Sequence, residues 1–170
     1  GSGEALSIIA RKYVVPVFRI QRINKIEDAR RIRVGQKLRV ITGESEVFVD
    51  KSDYVLTVFM DKKFISRYEI GIGKDDGTPE GAFHVVTKDW NPDWYYQGKR
   101  YPFGDPQNIL GVAWLGLDAP SGSASIGIHG SPDGDGIGKK SSKGCIRLRN
   151  PDVAEVYDWV TIGSAVTIAQ

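Results

Sequence analysis

The run YVLTVFM (54–60), Asp61-Lys62, KFISRYEIGIG (63–73) carries its apolar residues at a period of two on both sides of a two-residue connection. That is the pattern of strands half buried on a sheet and joined by a tight turn. VFV (47–49) precedes it with the same period, so a meander is expected from residue 47 to 73. Further along, AFHVVTK (82–88), ILGVAWLGL (109–117), ASIGIH (124–129), CIRL (145–148) and AVTIA (165–169) read as additional strands. Fifteen of the twenty glycines lie between Gly71 and Gly144, which divides this region into short strands and turns. One helix is expected in it, with Asn150 as N-cap and Pro151 at the first position, burying Val153, Val156, Tyr157 and Val160. The stretch from Trp90 to Asp105 is rich in aromatics, prolines and glycines without a clear period. A loop of that length is expected to be a lid or a binding wall, or else an aromatic cluster packed on the sheet.

Upstream of the meander the character changes. ALSIIARKY (5–13) sets Leu6, Ile9, Ala10 and Tyr13 on one helical stripe, and a second helix opens at Pro16 with Val17, Ile20, Ile23 and Asn24 in register. RVGQKLRV (33–40) reads as a turn and a strand, and Thr42-Gly43-Glu44-Ser45 as a linker. Residues 1–42 hold ten Lys/Arg against three Asp/Glu, and the remainder thirteen against eighteen, so a basic segment precedes an acidic body. Gly1-Ser2-Gly3 reads more like the remnant of a tag than a native start, so a signal peptide or anchor upstream of it is an expectation.

The 170 residues, 41% hydrophobic and 26% charged, fit one domain, or one with a small appendage, and argue against disordered or fibrous architectures. No apolar run is long enough to cross a bilayer. A single cysteine excludes an intramolecular disulfide and a cysteine-only zinc site, and two histidines make a multi-ligand metal centre a poor expectation. No metal and no cofactor are expected. Asp133-Gly134-Asp135-Gly136 lacks the full calcium-loop pattern and reads as a solvated turn. The basic segment lacks any signature of nucleic-acid recognition, so no nucleic-acid partner is expected.

Cys145 is the evident nucleophile candidate, because a modest pKa depression would supply thiolate at neutral pH. Taken alone, a single cysteine is more often a small buried hydrophobe. Its context differs: Ser141-Ser142-Lys143-Gly144 feeds the CIRL strand, and a glycine before the thiol lets backbone N–H groups of Gly144 and Cys145 converge as an oxyanion hole. A base is required, and His84 and His129 are the histidines. His84 alternates within a strand and reads as structural. His129 ends the run ASIGIH, where a loop opens, and the glycine-rich DGDGIGKKSSKG segment returns the chain to Cys145. Two strand ends joined in this way can bring imidazole and thiol within hydrogen-bond reach.

IGIHG (126–130) with SKGCIRL (142–148) resembles the catalytic motif of the L,D-transpeptidases of the YkuD type. GTPEGAF (77–83) is similar to the family's TPxGxF turn and strand, and NILGVAWLGLD (108–118) to its central strand. The resemblance spans residues 46–170 and implies a mainly β fold, a β-sandwich catalytic domain with one C-terminal helix. It implies an enzyme acting on peptidoglycan stem peptides in the bacterial cell wall or periplasm and open to acylation by carbapenems. Cys145 would be the nucleophile and His129 the base, with the Gly130 carbonyl orienting the imidazole. Arg147 would hold a substrate carboxylate, with Ser142 and Lys143 beside it as substrate-binding residues. Lys143 stands where many members have histidine. Residues 1–42 are similar to a LysM module, a small α+β (βααβ) unit that grips glycan strands, here with its first strand missing. The combined expectation is a monomeric transpeptidase that forms 3-3 cross-links through a thioester. An L,D-carboxypeptidase using water as acceptor, and a non-catalytic wall-binding protein with an inert Cys145, are the alternatives.

Overall fold

The computed structural model describes residues 5–119 and 125–170. Gly1–Gly3 and Ala124, which opens the expected strand ASIGIH, lie outside the described residues. The chain divides into two compact units, Gly1–Glu44 and Ser45–Gln170.

In the first unit, α1 (Leu6–Tyr13) and α2 (Val17–Asn24) follow the apolar stripes. Leu6, Ala10, Val15 and Ile20 form a small core against which Ile26, Ile32, Leu38 and Val40 pack. Tyr13, expected on the buried stripe, is exposed. The strand expected in RVGQKLRV joins no ladder among the described residues. Asn24 takes the place of a neighbouring strand there: its amide donates to the Arg39 carbonyl at 2.7 Å and its Oδ1 accepts the Arg39 N–H at 2.8 Å. A side-chain amide thus satisfies both backbone groups that a ladder would pair.

The second unit is mainly β. The meander forms β1 (Ser45–Asp50), β2 (Val55–Met60) and β3 (Lys63–Glu69), and Ser45 belongs to β1 rather than to a linker, its hydroxyl buried against that of Ser164. The connecting Asp61 and Lys62 both have positive φ, as the tightest hairpin turn requires. The expected strand over 63–73 is interrupted. The backbone of Gly71 leaves β2 and exchanges two hydrogen bonds with Arg147, after which β4 (Ile72–Gly73) pairs with β10 (Lys140–Ser142).

β5 (Gly81–Trp90) is the longest strand, and its register shifts between Val85 and Thr87. Its first half pairs with β12 (Ala165–Ala169) and its second with β8 (Ala113–Leu117), so it belongs to both halves of the sheet. β9 (Gly127–Ser131) and β11 (Ile146–Arg149) complete the order β11-β9-β8-β5-β12-β1-β2-β3. β8 begins four residues later than expected. β9 runs through Gly130 to Ser131, so His129 stands inside a strand rather than at its end. Neighbouring strands bond it on both sides of His129, which holds the segment extended past the point where its local sequence turns glycine-rich.

The core unites the two halves, with Val47, Val49, Leu56, Val58, Ile70 and Ile72 against Leu115, Ile128, Ile146, Leu148, Val166 and Ile168. Helix α3 (Asn150–Trp159) adds Val153, Val156 and, just past its end, Val160. Tyr157, expected to be buried, is only partly so. Asn150 is not the N-cap; Arg149 holds that position, and the Asn150 side chain instead accepts the Val112 N–H from another loop. At the other end, the Lys88 ammonium donates to the Tyr157 and Val160 carbonyls at 2.6 Å each, a positive charge on the carbonyl end of a helix.

Candidate active site

Hydrogen-bond register sets the site. Asp89 of β5 pairs with Trp114 of β8, Trp114 with His129 of β9, and His129 with Arg147 of β11. Directly paired residues share a face of the sheet, so these four form one row. Cys145, two residues before Arg147, lies on the same face. The opposite face, with Leu115, Ile128 and Ile146, is core. The row lines a cleft of about 1060 Å³ whose walls include Lys74, Cys145, Ser142 and Lys143 on one side and Trp90, Trp94, Tyr95 and Tyr96 on the other.

His129 is 1% exposed, and its Nδ1 lies 2.6 Å from the Gly130 carbonyl. A carbonyl only accepts, so Nδ1 carries the proton and Nε2 keeps its lone pair. Burial pulls the imidazole down to about 4, against the Gly130 bond that favours the charged form, and the nearby Arg147 guanidinium lowers it further. His129 is therefore neutral at pH 7. The Trp114 ring is inclined by 28° to it, centroids 6.0 Å apart. Gly127 makes room for that indole, since a Cβ there would come within 2.5 Å of it.

Cys145 is partly exposed, and its thiol contacts the Ser125 carbonyl at 3.7 Å. Burial pushes the thiol pKa up, opposed by the Gly127 N–H and by Arg147. The expected depression is thus reversed, because the wall on which the thiol sits withholds the water that would solvate a thiolate. Thiol and imidazole share the cleft face but are not hydrogen-bonded to each other. Both rest in their neutral forms.

The loop before Cys145 is braced rather than open. Ser142, expected to bind substrate, is buried; its hydroxyl donates to the Cys145 carbonyl at 2.7 Å and accepts the Gly144 N–H at 3.0 Å. The Gly144 N–H, expected in the oxyanion hole, is thus bonded to Ser142 in this structure, and the Cys145 N–H is the other expected donor. Gly144 has φ 150°, and a Cβ would meet the Gly77 carbonyl at 2.7 Å. Thr78, from the GTPEGAF turn, donates to the Gly144 carbonyl at 2.9 Å and accepts the Gly73 N–H at 2.7 Å. Arg147 faces the cleft with its Nε buried and without a hydrogen-bond partner. Lys143 reaches across to Tyr96, its ammonium 2.5 Å from the hydroxyl and 4.6 Å from the ring centre.

Tyr96 belongs to the stretch read as a loop. It is a hairpin of β6 (Trp94–Tyr96) and β7 (Lys99–Tyr101) with Gln97-Gly98 as its turn, both at positive φ. Trp94 stacks on Tyr96 and packs on Tyr101. The buried Asn108 amide donates to the carbonyls of Pro92, Tyr101 and Pro102, and Asp93 pairs with Arg100. The two-residue turn between WYY and KRY was the available signal for it. Trp114 carried no sequence signal beyond a place in a strand. His84 lies elsewhere, exposed and paired with Asp118. Among the described residues no cluster of three or more His, Cys, Asp or Glu could hold a metal ion, and no helix is long and apolar enough to cross a membrane.

Residues 44–168 match the YkuD family, the L,D-transpeptidase catalytic domain, and residues 1–40 match the LysM domain. The chain is 39% identical over 130 residues to YqjB of Bacillus subtilis, named provisionally as an L,D-transpeptidase, covering 75% of this chain and 73% of that one. It is 28% identical to the similarly named YkuD of Bacillus licheniformis over 98% of this chain and 94% of that one. A solved L,D-transpeptidase from Mycobacterium tuberculosis H37Rv shares the fold, with a TM-score of 0.61 at 18% identity, over 76% of this chain and 59% of that one.

Proposed function

Because the chain belongs to the L,D-transpeptidase family of the YkuD type, we propose that it is a cysteine acyltransferase acting on peptidoglycan, with Cys145 as nucleophile and His129 as base. The observation that carries this reading is that one cleft is lined both by the chain's one cysteine and by a buried histidine whose Nδ1 proton is held by Gly130, leaving Nε2 as the acceptor. Both groups rest neutral, so the Cys145 proton passes to His129 Nε2 as Sγ attacks the carbonyl of the third residue of a tetrapeptide stem. The Cys145 N–H donates to the oxygen as negative charge develops on it. The carbon–nitrogen bond then breaks, His129 returns the proton to the departing D-alanine amine, and a thioester remains. An amine of a second stem attacks the thioester, its proton goes to His129, and the sulfur leaves as the 3-3 cross-link forms. Arg147 and Lys143 place positive charge where the acidic donor stem would lie. The LysM domain would retain the protein on glycan strands, placing it in the cell wall. Incubation with a carbapenem followed by intact mass measurement should show one adduct on Cys145, and incubation with sacculi should yield 3-3 linked muropeptides. An unmodified protein and unchanged muropeptides would refute the reading.

A further inference from the structure

A transfer to an amine requires two substrates of unlike charge to meet over one thiol, and the cleft is electrically divided to match. Its basic side chains, Lys74, Lys143 and Arg147, come from the segments around β4, β10 and β11. Its carboxylates are Asp89 and Asp93, on and just after β5. Asp93 is engaged by Arg100 at 2.6 Å. The Asp89 side chain makes no hydrogen bond or ion pair among the described residues, though its charge is felt by the Tyr157 hydroxyl; the residue is exposed and stands in the row Asp89, Trp114, His129. Two strand spacings separate Asp89 from His129, about 10 Å. Trp114 stands between them in register, its indole lying toward Gly116 and Gly127 with its centroid 6.0 Å from that of His129, and an aromatic face attracts a cation.

We propose that Asp89 recruits the acceptor: it draws a protonated primary amine into the cleft and, with the Trp114 face, directs it toward the thioester. This rests on the thioester chemistry proposed above and adds a residue that selects the acceptor. At Asp89 the nitrogen is still an ammonium. It attacks only after losing a proton to solvent; its lone pair then forms the new carbon–nitrogen bond, its second proton passes to His129, the carbon–sulfur bond breaks with the electron pair returning to Sγ, and His129 hands the proton back to the thiolate. Water carries no charge for Asp89 to attract, so the residue biases the acyl-enzyme toward transfer over hydrolysis.

The test compares the wild type, Asp89→Asn and Asp89→Glu. Each is first acylated with a tetrapeptide stem, and thioester formation on Cys145 is read by intact mass. Each acyl-enzyme is then offered a tripeptide stem carrying a side-chain amine, which is protonated at neutral pH, or hydroxylamine, which is a neutral nucleophile there. In Asp89→Asn the ratio of stem amide to hydroxamate should fall about tenfold, the scale of one charge interaction in a cleft, with hydrolysis filling the difference, and Asp89→Glu should restore the ratio. An unchanged ratio, or an equal fall in both products, would overturn the recruiting role. Absence of any thioester in the wild type would instead overturn the acyltransferase reading, and this inference with it, at an earlier and separately measured step.

Discussion

The two walls of the cleft are built by different means. On the β9–β11 wall, ladder bonds run on either side of His129, and Ser142 and Thr78 tie the loop before Cys145 to its neighbours. On the facing wall, a two-stranded hairpin with three-residue strands presents Trp94, Tyr95 and Tyr96, held at its base by Asn108 and Asp93. An isolated hairpin is marginal in water, whereas a strand bonded on both sides is held by the global stability of the sheet. The difference teaches how rigidity is distributed: His129 and the loop of Cys145 are fixed by ladder and side-chain bonds, whereas the aromatic side chains facing them rest on a hairpin held mainly at its base.

The largest effect should come from the ladder wall. Cys145→Ser should abolish the carbapenem adduct and all cross-linking while leaving the melting temperature within about 2 °C, since the hydroxyl is of similar size and far less acidic. Retained activity in that variant would remove the chemistry from this wall altogether. His129→Gln should slow acylation by roughly 10²–10⁴-fold, the scale of a positioned base, and His84→Ala should leave it unchanged; equal losses would erase the distinction between a cleft histidine and an exposed one.

Stability should depend on pH through the same wall. The His129 pKa is about 4 in the folded protein, below its usual 6.5, so between those values the unfolded chain binds the proton and the folded one does not. Stability therefore falls as pH drops from 6.5 toward 4, by up to about 3 kcal/mol, and is unaffected by this group above 6.5. Denaturant unfolding of the wild type and His129→Gln across that range measures it: the variant should show a shallower decline, and parallel curves would mean that the buried imidazole is not the source.

The hairpin wall should respond more locally. Asn108→Ala strands buried carbonyls and should cost about 1–3 kcal/mol, read as faster amide exchange over residues 94–101 with β9 and β11 still protected. Faster exchange in β9 as well would show the walls to be one cooperative unit. Smallest of all, Lys143→Met should reduce turnover of a stem peptide about two- to fivefold, the scale of an exposed contact, and leave alkylation by a small neutral reagent alone. A loss as deep as that of His129→Gln would place Lys143 with the ladder residues.

Much of this was readable in the chain itself. The period of two located β1, β2, β5 and β12 closely, because each has one face in the core and its own side chains report that burial. Cys145 and His129 stood out because few side chains can do nucleophilic or base chemistry, and the chain has one cysteine and two histidines. The hairpin at 94–101 leaves no period in the sequence, because aromatic residues on a two-stranded wall have no buried face to impose one. The sequence signal of β9 stops two residues short of its end because its last two residues are Gly130 and Ser131, poor strand formers whose ladder partners are in β11.

What the sequence by itself determined was the strands of the eight-stranded sheet, the two-part division in charge and pattern, and the candidate chemical groups. What only the tertiary structure decided was the state of those groups. The thiol pKa rises rather than falls because of what is packed around Cys145. The Gly144 N–H is engaged because Ser142 turns inward, and Asp89, Trp114, His129 and Arg147 form a row because the register of four strands aligns them. The thiol's surroundings and the row depend on contacts between segments distant in the chain, and the short Ser142–Gly144 contact sits in a loop braced by others, such as Thr78 to Gly144 and Lys143 to Tyr96; local sequence carries no record of which distant atoms will arrive.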